Sequence, residues 1–279
     1  MEKLRILSVF GTRPEAIKMC PLVQELASRP EIESLCCVTA QHRQMLDSVL
    51  EVFQLKPDWD LDIMTPRQTL STITSKCLTG MDEAIEALKP DMILVHGDTS
   101  TTFAGALSAF YHQVKVGHVE AGLRTYDKWS PFPEEMNRKM VGVLADLHFC
   151  PTPANRDNLA RENITKNVFL TGNTVIDALK TTVREDYAFS TEELNHLPYG
   201  EKKIILDLTL MGKCRQTLCW KGRFMVCSQR KRSGIPMERR ESYMKKEIWW
   251  RWLQRISMGT RLFWSTRRRQ VMSMIMKLE

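Results

Sequence analysis

The chain has 279 residues, of which 43% are hydrophobic and 26% are charged; this is the composition of a globular protein and excludes collagen-like, mucin-like and wholly disordered chains. At about 150 residues per domain, there is room for roughly two domains. The net charge of +7 is uneven: residues 1–206 carry 22 Lys and Arg against 28 Asp and Glu, whereas residues 207–279 carry 18 against 5.

Strand-like and helix-like segments alternate along the first 184 residues. The apolar run at 4–10 predicts a strand, and Gly11 to Pro14 predict a turn that leads into a helix. The run at 92–95 is typical of a strand buried on both faces. The patterns further predict strands over 34–40, 114–119, 147–150 and 167–171, and helices over 42–54, 69–88, 101–112, 134–145, 153–162 and 174–184. This alternation predicts an α/β fold with a Rossmann-like, doubly wound parallel sheet.

Polar residues follow the predicted strands at the positions where each strand ends. The clusters are Gly11-Thr12-Arg13, His96-Gly97-Asp98, the segment 120–124 and the segment 133–138. Because ligands bind beyond the carboxyl ends of parallel strands, these side chains predict a site at that edge. The glycine motifs of nicotinamide binding and of P-loops are both absent from the sequence.

The sequence also carries expectations about compartment and metals. It contains no run of 18 apolar residues and no signal peptide pattern, so we expect a cytoplasmic protein. None of the eight cysteines forms a Cys-x-x-Cys pair, and Cys36 and Cys37 are expected to be buried thiols. Cys214, Cys219 and Cys227 lack the usual spacing of a zinc site.

Six stretches within residues 1–206 together resemble the non-hydrolysing UDP-N-acetylglucosamine 2-epimerases. They are residues 10–18 (FGTRPEAIK), 39–43 (TAQHR), 95–102 (VHGDTSTT), 118–125 (HVEAGLRT), 131–138 (PFPEEMNR) and 170–177 (LTGNTVID). The resemblance implies the N-terminal half of a GT-B architecture, in which two Rossmann-like domains face each other across a cleft. It also implies interconversion of UDP-GlcNAc and UDP-ManNAc through elimination and re-addition of UDP, without a metal or redox cofactor.

This chemistry calls for at least two acid/base groups, because inversion at C2 needs proton transfer on both faces of the sugar. The resemblance implies that Asp98, Glu120 and Glu134 are the catalytic acid/base set. Carboxylates that lie close together in a cleft raise one another's pKa, which can keep one of them protonated near neutral pH.

The resemblance further implies which residues bind the substrate. Arg13 and Lys18 would contact the nucleotide or stabilise charge, and His42, Arg43 and Arg138 would also lie at the substrate. The substrates would be UDP-GlcNAc and UDP-ManNAc, with the product used for cell-surface polysaccharide, and the family is homodimeric.

Structural roles for the same residues remain open. Asp98 could cap the following helix, Glu120 could pair with Arg124, and Glu134 could simply favour a helix N-terminus. His96 and His118 are more often packing or hydrogen-bonding histidines than catalytic ones, and His118 could orient the neighbouring loop.

The resemblance ends near residue 206. We expect an N-terminal domain over 1–182, a hinge with the first strand of a second domain over 183–206, and an unrelated basic tail over 207–279. That tail contains no Ala, Asn or His and holds five of the seven Trp. An out-of-frame translation explains it; a nucleic-acid-binding tail or a membrane-surface helix around 248–256 are the alternatives.

The expected function is therefore an epimerase, an isomerase impaired in this chain by the loss of its second domain. The alternatives are a hydrolysing UDP-GlcNAc 2-epimerase, which would release UDP and free ManNAc, and a non-catalytic remnant that binds a sugar nucleotide or a partner. We expect neither nucleic acid nor membrane as a partner of residues 1–206.

Overall fold

The structure is a computed structural model that describes residues 3–40, 43–65, 67–183, 206–209, 215–220 and 223–228. These residues fall into two units, one formed by those up to Val183 and the other by those between 206 and 228. His42, the segment 184–205 and the segment 229–279 lie outside the described residues, so the hinge and most of the tail stay predictions.

Seven parallel strands form the sheet of the first unit, which confirms the predicted doubly wound α/β fold. Their order is β3-β2-β1-β4-β5-β6-β7, so the chain first builds outward from β1 and then returns to place β4 on its other side. The two-residue edge strand β3 was not predicted, because it is too short to show an alternating pattern. The strands are β1 Leu4–Phe10, β2 Ile32–Val38, β3 Trp59–Asp60, β4 Met92–His96, β5 Lys115–Val119, β6 Leu147–Cys150 and β7 Val168–Leu170.

Seven helices follow the strands, and each lies within two residues of its predicted bounds where bounds were predicted. Threonine side chains begin three of them, since Thr69, Thr99 and Thr152 each accept a hydrogen bond from the backbone N–H three residues later. None of the helices in the described part of the chain is both long enough and apolar enough to cross a membrane. The helices are α1 Arg13–Ala27, α2 Arg43–Val52, α3 Leu70–Leu88, α4 Ser100–Tyr111, α5 Glu134–Leu144, α6 Pro153–Arg161 and α7 Val175–Thr182.

The core lies on both faces of the sheet, as the continuous apolar strands predict. Successive residues of β1 point to opposite faces, so Phe10 belongs to one buried cluster with Met19 of α1, and Leu7 belongs to another with Met81 of α3. Burial of each such side chain contributes about 1.5–3 kcal/mol to folding. Packing on both faces leaves the ends of the strands as the place where polar side chains can gather.

The second unit is a small antiparallel sheet, which the sequence analysis did not predict. Its strands are β8 Leu206–Thr209, β9 Arg215–Trp220 and β10 Arg223–Ser228, and β9 lies between the other two. The parallel βαβ pattern of the first unit therefore does not continue in the described part of residues 207–279.

Candidate active site

The predicted site residues of the first unit stand mainly at the carboxyl ends of β1, β4 and β5. Asp98 follows β4, Glu120 follows β5, and Lys18 lies in the helix that follows β1. The strand order reverses between β1 and β4, so the crevice at this edge is the switch point where doubly wound folds bind ligands. Asp98 and Glu120, both partly buried, meet their basic partners here.

Glu120 is held by two side chains from distant parts of the chain. Lys18 Nζ donates to both carboxylate oxygens, at 2.7 and 2.8 Å, and Asn173 Nδ2 donates to Oε1 at 3.0 Å. His96 Nε2 lies 3.5 Å from Oε2. The backbone of Glu120 has a positive φ of 63°, a conformation that most residues avoid. Such a restrained carboxylate is oriented by its surroundings and is stabilised as an anion by Lys18.

Two buried histidines lie in β4 and β5, the strands that precede Asp98 and Glu120. Burial, and then the charge of Lys18, lowers the pKa of His96 to about 3. Burial also lowers the pKa of His118 to about 3, although its Nε2–H donates to the carbonyl oxygen of Gly97 at 2.8 Å. This contact fits the alternative in which His118 orients the neighbouring loop, because Gly97 begins the loop after β4.

Asp98 is paired with Arg138, which reaches it from α5. The guanidinium donates to Asp98 Oδ2 from Nε at 2.9 Å and from Nη2 at 2.5 Å, and Asn137 Nδ2 donates to the Asp98 carbonyl at 2.8 Å. The expectation that Asp98 could cap the next helix is wrong, because Thr99 is the residue that caps α4. The carboxylate of Asp98 is therefore not used as a helix cap and can face the site.

Glu135 is a buried carboxylate that supports this pair. It accepts hydrogen bonds from the backbone N–H groups of Thr125 and Tyr126, both at 3.0 Å, and from Arg138 Nη1 at 3.2 Å. Burial alone would raise the pKa of Glu135, but these three donors together hold it below its ordinary value. Glu135 thus ties the loop after β5 to Arg138 and, through it, to Asp98.

Glu134 differs from the other two predicted catalytic residues. It is the first residue of α5, as predicted from its sequence position, and is half-buried. Its Oε2 is buried and has no hydrogen-bond partner, and no basic side chain of the described residues pairs with it. Among the described residues, Glu134 is thus the one of the three carboxyl groups that forms no ion pair.

Arg124 has a structural role away from these carboxylates. Its side chain is fully buried, and its Nε and Nη2 donate to the two carboxylate oxygens of Glu162, each at 2.8 Å. The expectation that Glu120 could pair with Arg124 is therefore wrong, because Lys18 takes that place.

The remaining predicted substrate-binding residues are less closely grouped. Arg13 is half-buried at the start of α1 and forms no ion pair with the described residues. Arg43 begins α2 and is engaged by Asp60 at 2.6 Å and by Asp62 at 2.7 Å, which raises its pKa. His42 lies outside the described residues. None of these contacts joins Arg13 or Arg43 to Glu120 or Asp98.

Sequence reasoning missed four residues that organise the site. Asn173 holds Glu120, Asn137 and Glu135 hold the Asp98–Arg138 pair, and Glu15 lies buried between the loops that follow β1 and β4. Burial raises the pKa of Glu15 above its ordinary value, against the opposing effect of its hydrogen bonds. All four lie within the stretches that carry the family resemblance, and that was the available signal.

Nothing among the described residues suggests a resident metal. No group of three or more His, Cys, Asp or Glu side chains in the described ranges has the geometry to hold an ion. Five cysteines are buried and carry free thiols, which confirms the prediction for Cys36 and Cys37; the others are Cys20, Cys77 and Cys150. The arrangement is suited to proton transfer by carboxylates.

Comparisons with known proteins agree with this geometry. The family model for UDP-N-acetylglucosamine 2-epimerase matches residues 24–207. UDP-N-acetylglucosamine 2-epimerase of Bacillus subtilis is 60% identical over 207 residues, which cover 74% of this chain and 53% of the relative. The enzyme of the same name from Escherichia coli K12 is 58% identical over 211 residues, covering 73% of this chain and 56% of the relative. The chain thus spans about half the length of these curated relatives.

A solved structure is also similar to this chain. The UDP-GlcNAc 2-epimerase from Neisseria meningitidis bound to UDP-GlcNAc is 53% identical, with a TM-score of 0.61. The match covers 63% of this chain and 49% of that chain.

Proposed function

The chain belongs to the UDP-N-acetylglucosamine 2-epimerase family, and on that premise we propose that residues 1–206 supply the acid/base half of an enzyme that interconverts UDP-GlcNAc and UDP-ManNAc. The observation that carries the proposal is the set of three carboxyl groups at one edge of the sheet. Lys18 pairs with Glu120, Arg138 pairs with Asp98, and Glu134 is unpaired among the described residues.

The proposed reaction needs only proton transfers and the movement of UDP. A base removes the proton from C2 of the sugar, the C1–O bond breaks, and its electron pair leaves with the β-phosphate oxygen of UDP. A double bond forms between C1 and C2. UDP then adds back to C1 while a proton is delivered to C2 from the opposite face, so the configuration of C2 is inverted and no electrons are gained or lost.

The contacts suggest how the carboxyl groups divide this work. Glu120 is an oriented anion beside Lys18, which suits it to accept the C2 proton. Glu134 has a buried oxygen without a partner, which suits it to deliver the proton on the other face. Asp98, which is fixed by Arg138, is the third acid/base candidate. In the reverse reaction each group takes the opposite role.

The names of the relatives favour epimerisation over the hydrolysing alternative, since the curated matches from Bacillus subtilis and Escherichia coli are named epimerases. The structure from Neisseria meningitidis, bound to UDP-GlcNAc, supports a sugar nucleotide as the ligand. The five free buried thiols fit a reducing compartment such as the cytosol. We further propose that the product serves polysaccharide synthesis and that the first unit forms a homodimer.

Residues 207–279 are proposed to lie outside the family. The family match ends at residue 207, and the charge balance changes there: residues 1–206 carry 22 Lys and Arg against 28 Asp and Glu, whereas residues 207–279 carry 18 against 5. An out-of-frame translation from this position accounts for both facts, and the coding DNA read in its other frames tests it. The residues of a second domain that would contact the substrate are then missing from the 279-residue chain. We therefore expect this chain to show no turnover, and measurable turnover would refute that expectation.

The test of the proposed function is a fusion of residues 1–206 to the second half of the Bacillus subtilis relative. We expect this fusion to interconvert UDP-GlcNAc and UDP-ManNAc and, in D₂O, to place deuterium at C2 of the product. Asp98→Asn, Glu120→Gln and Glu134→Gln should each lower kcat/KM by about 10²–10⁴-fold, the usual contribution of a general acid or base. Asp157→Asn, at an exposed carboxylate on α6, is the matched control and should leave it unchanged.

The outcomes separate the alternatives. Release of free ManNAc instead of UDP-ManNAc would show the hydrolysing reaction. An inactive fusion beside an active, unfused Bacillus subtilis enzyme would refute the proposal for residues 1–206. Heat from UDP or UDP-GlcNAc binding to such an inactive fusion would instead identify a non-catalytic binding remnant. A carboxylate variant with full activity would remove that residue from the acid/base set.

A further inference from the structure

The crevice at the switch point of the sheet is occupied by a side chain of the protein itself. It lies between the loop that follows β1 and the loop that follows β4, which are neighbouring strands. In doubly wound folds this crevice receives the ligand, and an anionic group of the ligand often meets the helix N-terminus there. Here the carboxylate of Glu15, from the first turn of α1, fills that position and is only 3% exposed.

The loop after β1 and the residue that caps α4 both donate to the Glu15 carboxylate. Oε2 accepts from the backbone N–H groups of Gly11 at 3.0 Å and Thr12 at 2.7 Å, both in the loop after β1. Oε1 accepts from the hydroxyl group of Thr99 at 2.6 Å, and the hydroxyl oxygen of Thr102, in the first turn of α4, lies 3.2 Å away. A carboxylate that only capped its own helix would need the two backbone donors alone, so the bond from Thr99 makes it a bridge.

The two loops joined in this way carry the acid/base machinery. Lys18, which pairs with Glu120, stands one turn after Glu15 on α1. Asp98 is the neighbour of Thr99, and the hydroxyl group of Thr102 donates to the carbonyl oxygen of His96, at the end of β4, at 2.5 Å. A shift of either loop would therefore move a predicted site residue relative to the other.

We propose that Glu15 is a positioning residue, an internal anion that locks the β1 and β4 loops together and so sets Lys18 and Asp98 relative to each other. The role at the substrate rests on the proposed function, whereas the lock itself does not. One consequence concerns ligand binding, because two backbone N–H groups of the β1 loop are already satisfied by Glu15. The diphosphate of a bound nucleotide must then be held by other groups.

Hydrogen–deuterium exchange of the full 279-residue chain tests the lock without any substrate. We compare the unaltered chain with Glu15→Gln, following the segments 11–16 and 99–103. Loss of hydrogen bonds to a charged group should speed exchange about tenfold or more in both segments. Glu162→Gln is the matched control, since it weakens a partly buried ion pair elsewhere and should leave both segments unchanged. Faster exchange in 11–16 alone would show a local cap and overturn the proposal.

Two further measurements keep the test decisive. In Glu15→Ala, added formate should slow exchange in both segments again, because a free carboxylate can fill the vacated position; no response to formate would count against the proposal. If the Glu15 variants do not fold, Thr99→Val cuts the bridge from the other side. It should speed exchange in 11–16, and unchanged exchange there would overturn the lock. Because no substrate is present, an inactive fusion enzyme would refute the proposed function and leave these results intact.

Discussion

Substitution of Gly11 by alanine is expected to damage the first unit more than any surface change would. A Cβ at this position would lie 1.8 Å from Thr39 Oγ1 and 2.8 Å from Thr101 Oγ1, well inside ordinary contact distance. Both threonines are fully buried, and their hydroxyl groups are hydrogen-bonded to each other at 2.9 Å. The side chain of Thr39 cannot move aside without breaking that bond.

The size of the effect follows from two contributions. Overpacking in a buried region costs about 1–3 kcal/mol, and loss of the threonine hydrogen bond adds about 1 kcal/mol. Gly11→Ala should therefore lower the free energy of unfolding by about 2–4 kcal/mol. For a unit of this size each kcal/mol corresponds to about 2–4 °C in the melting temperature.

A double-mutant cycle identifies the cause. Thr39→Ala alone should cost about 1–2 kcal/mol, and Gly11→Ala with Thr39→Ala should cost less than the sum of the two, by about 1–2 kcal/mol, because the clashing oxygen is gone. Urea unfolding followed by far-UV circular dichroism measures all four proteins. Additive losses, or a cost of Gly11→Ala below 1 kcal/mol, would refute the steric reasoning.

Three further predictions concern charge. Glu162→Ala leaves the buried guanidinium of Arg124 without its partner and should lower the free energy of unfolding by about 3 kcal/mol. Urea unfolding measures this loss, and a loss below about 1 kcal/mol would contradict the prediction. His96 and His118 have pKa values of about 3 in the folded chain against 6.5 in the unfolded chain, so the unfolded chain binds more protons between these pH values. The free energy of unfolding should therefore fall as the pH drops from 6.5 towards 3. His118→Gln should flatten this pH dependence, and an unchanged slope would contradict the prediction. In the fusion enzyme, Lys18→Met should lower kcat/KM more than Asn173→Ala does. Lys18 donates two charge-assisted hydrogen bonds to Glu120, whereas the neutral amide of Asn173 donates one. Equal losses in the two variants would argue against a role of the Lys18–Glu120 ion pair in activity.

Element prediction succeeded where a segment has a regular period and a clear start. The stripe Ile73, Cys77, Met81 and Ile85 predicts α3, and all four side chains are buried. The edge strand β3 has two residues and leaves no period to detect. The antiparallel strands between 206 and 228 lie where the family resemblance ends, so no pattern from the first unit could predict them.

The sequence predicted the edge of the sheet at which Asp98 and Glu120 lie, but it did not predict which side chains pair with them. The stretches at the ends of β1, β4 and β5 placed Asp98 and Glu120 at one edge of the sheet, as parallel strands require. The structural alternative for Glu120 was a pair with Arg124, four residues away in the chain, whereas its partner in the structure is Lys18, which is 102 residues away. Arg124 is close to Glu120 in the chain, but in the fold its side chain pairs with Glu162 instead.

The sequence by itself determined the alternation of strands and helices, the edge at which polar residues collect and the point near residue 207 where the family pattern ends. These are local properties, since hydrophobic period and motif order are written along the chain. Only the tertiary structure decided which polar and charged groups meet: Glu15 with Thr99, Lys18 with Glu120, and Arg138 with Asp98. Such pairs depend on which strands are neighbours in the sheet and on how loops from distant segments pack, and neither is encoded in the spacing of the residues themselves.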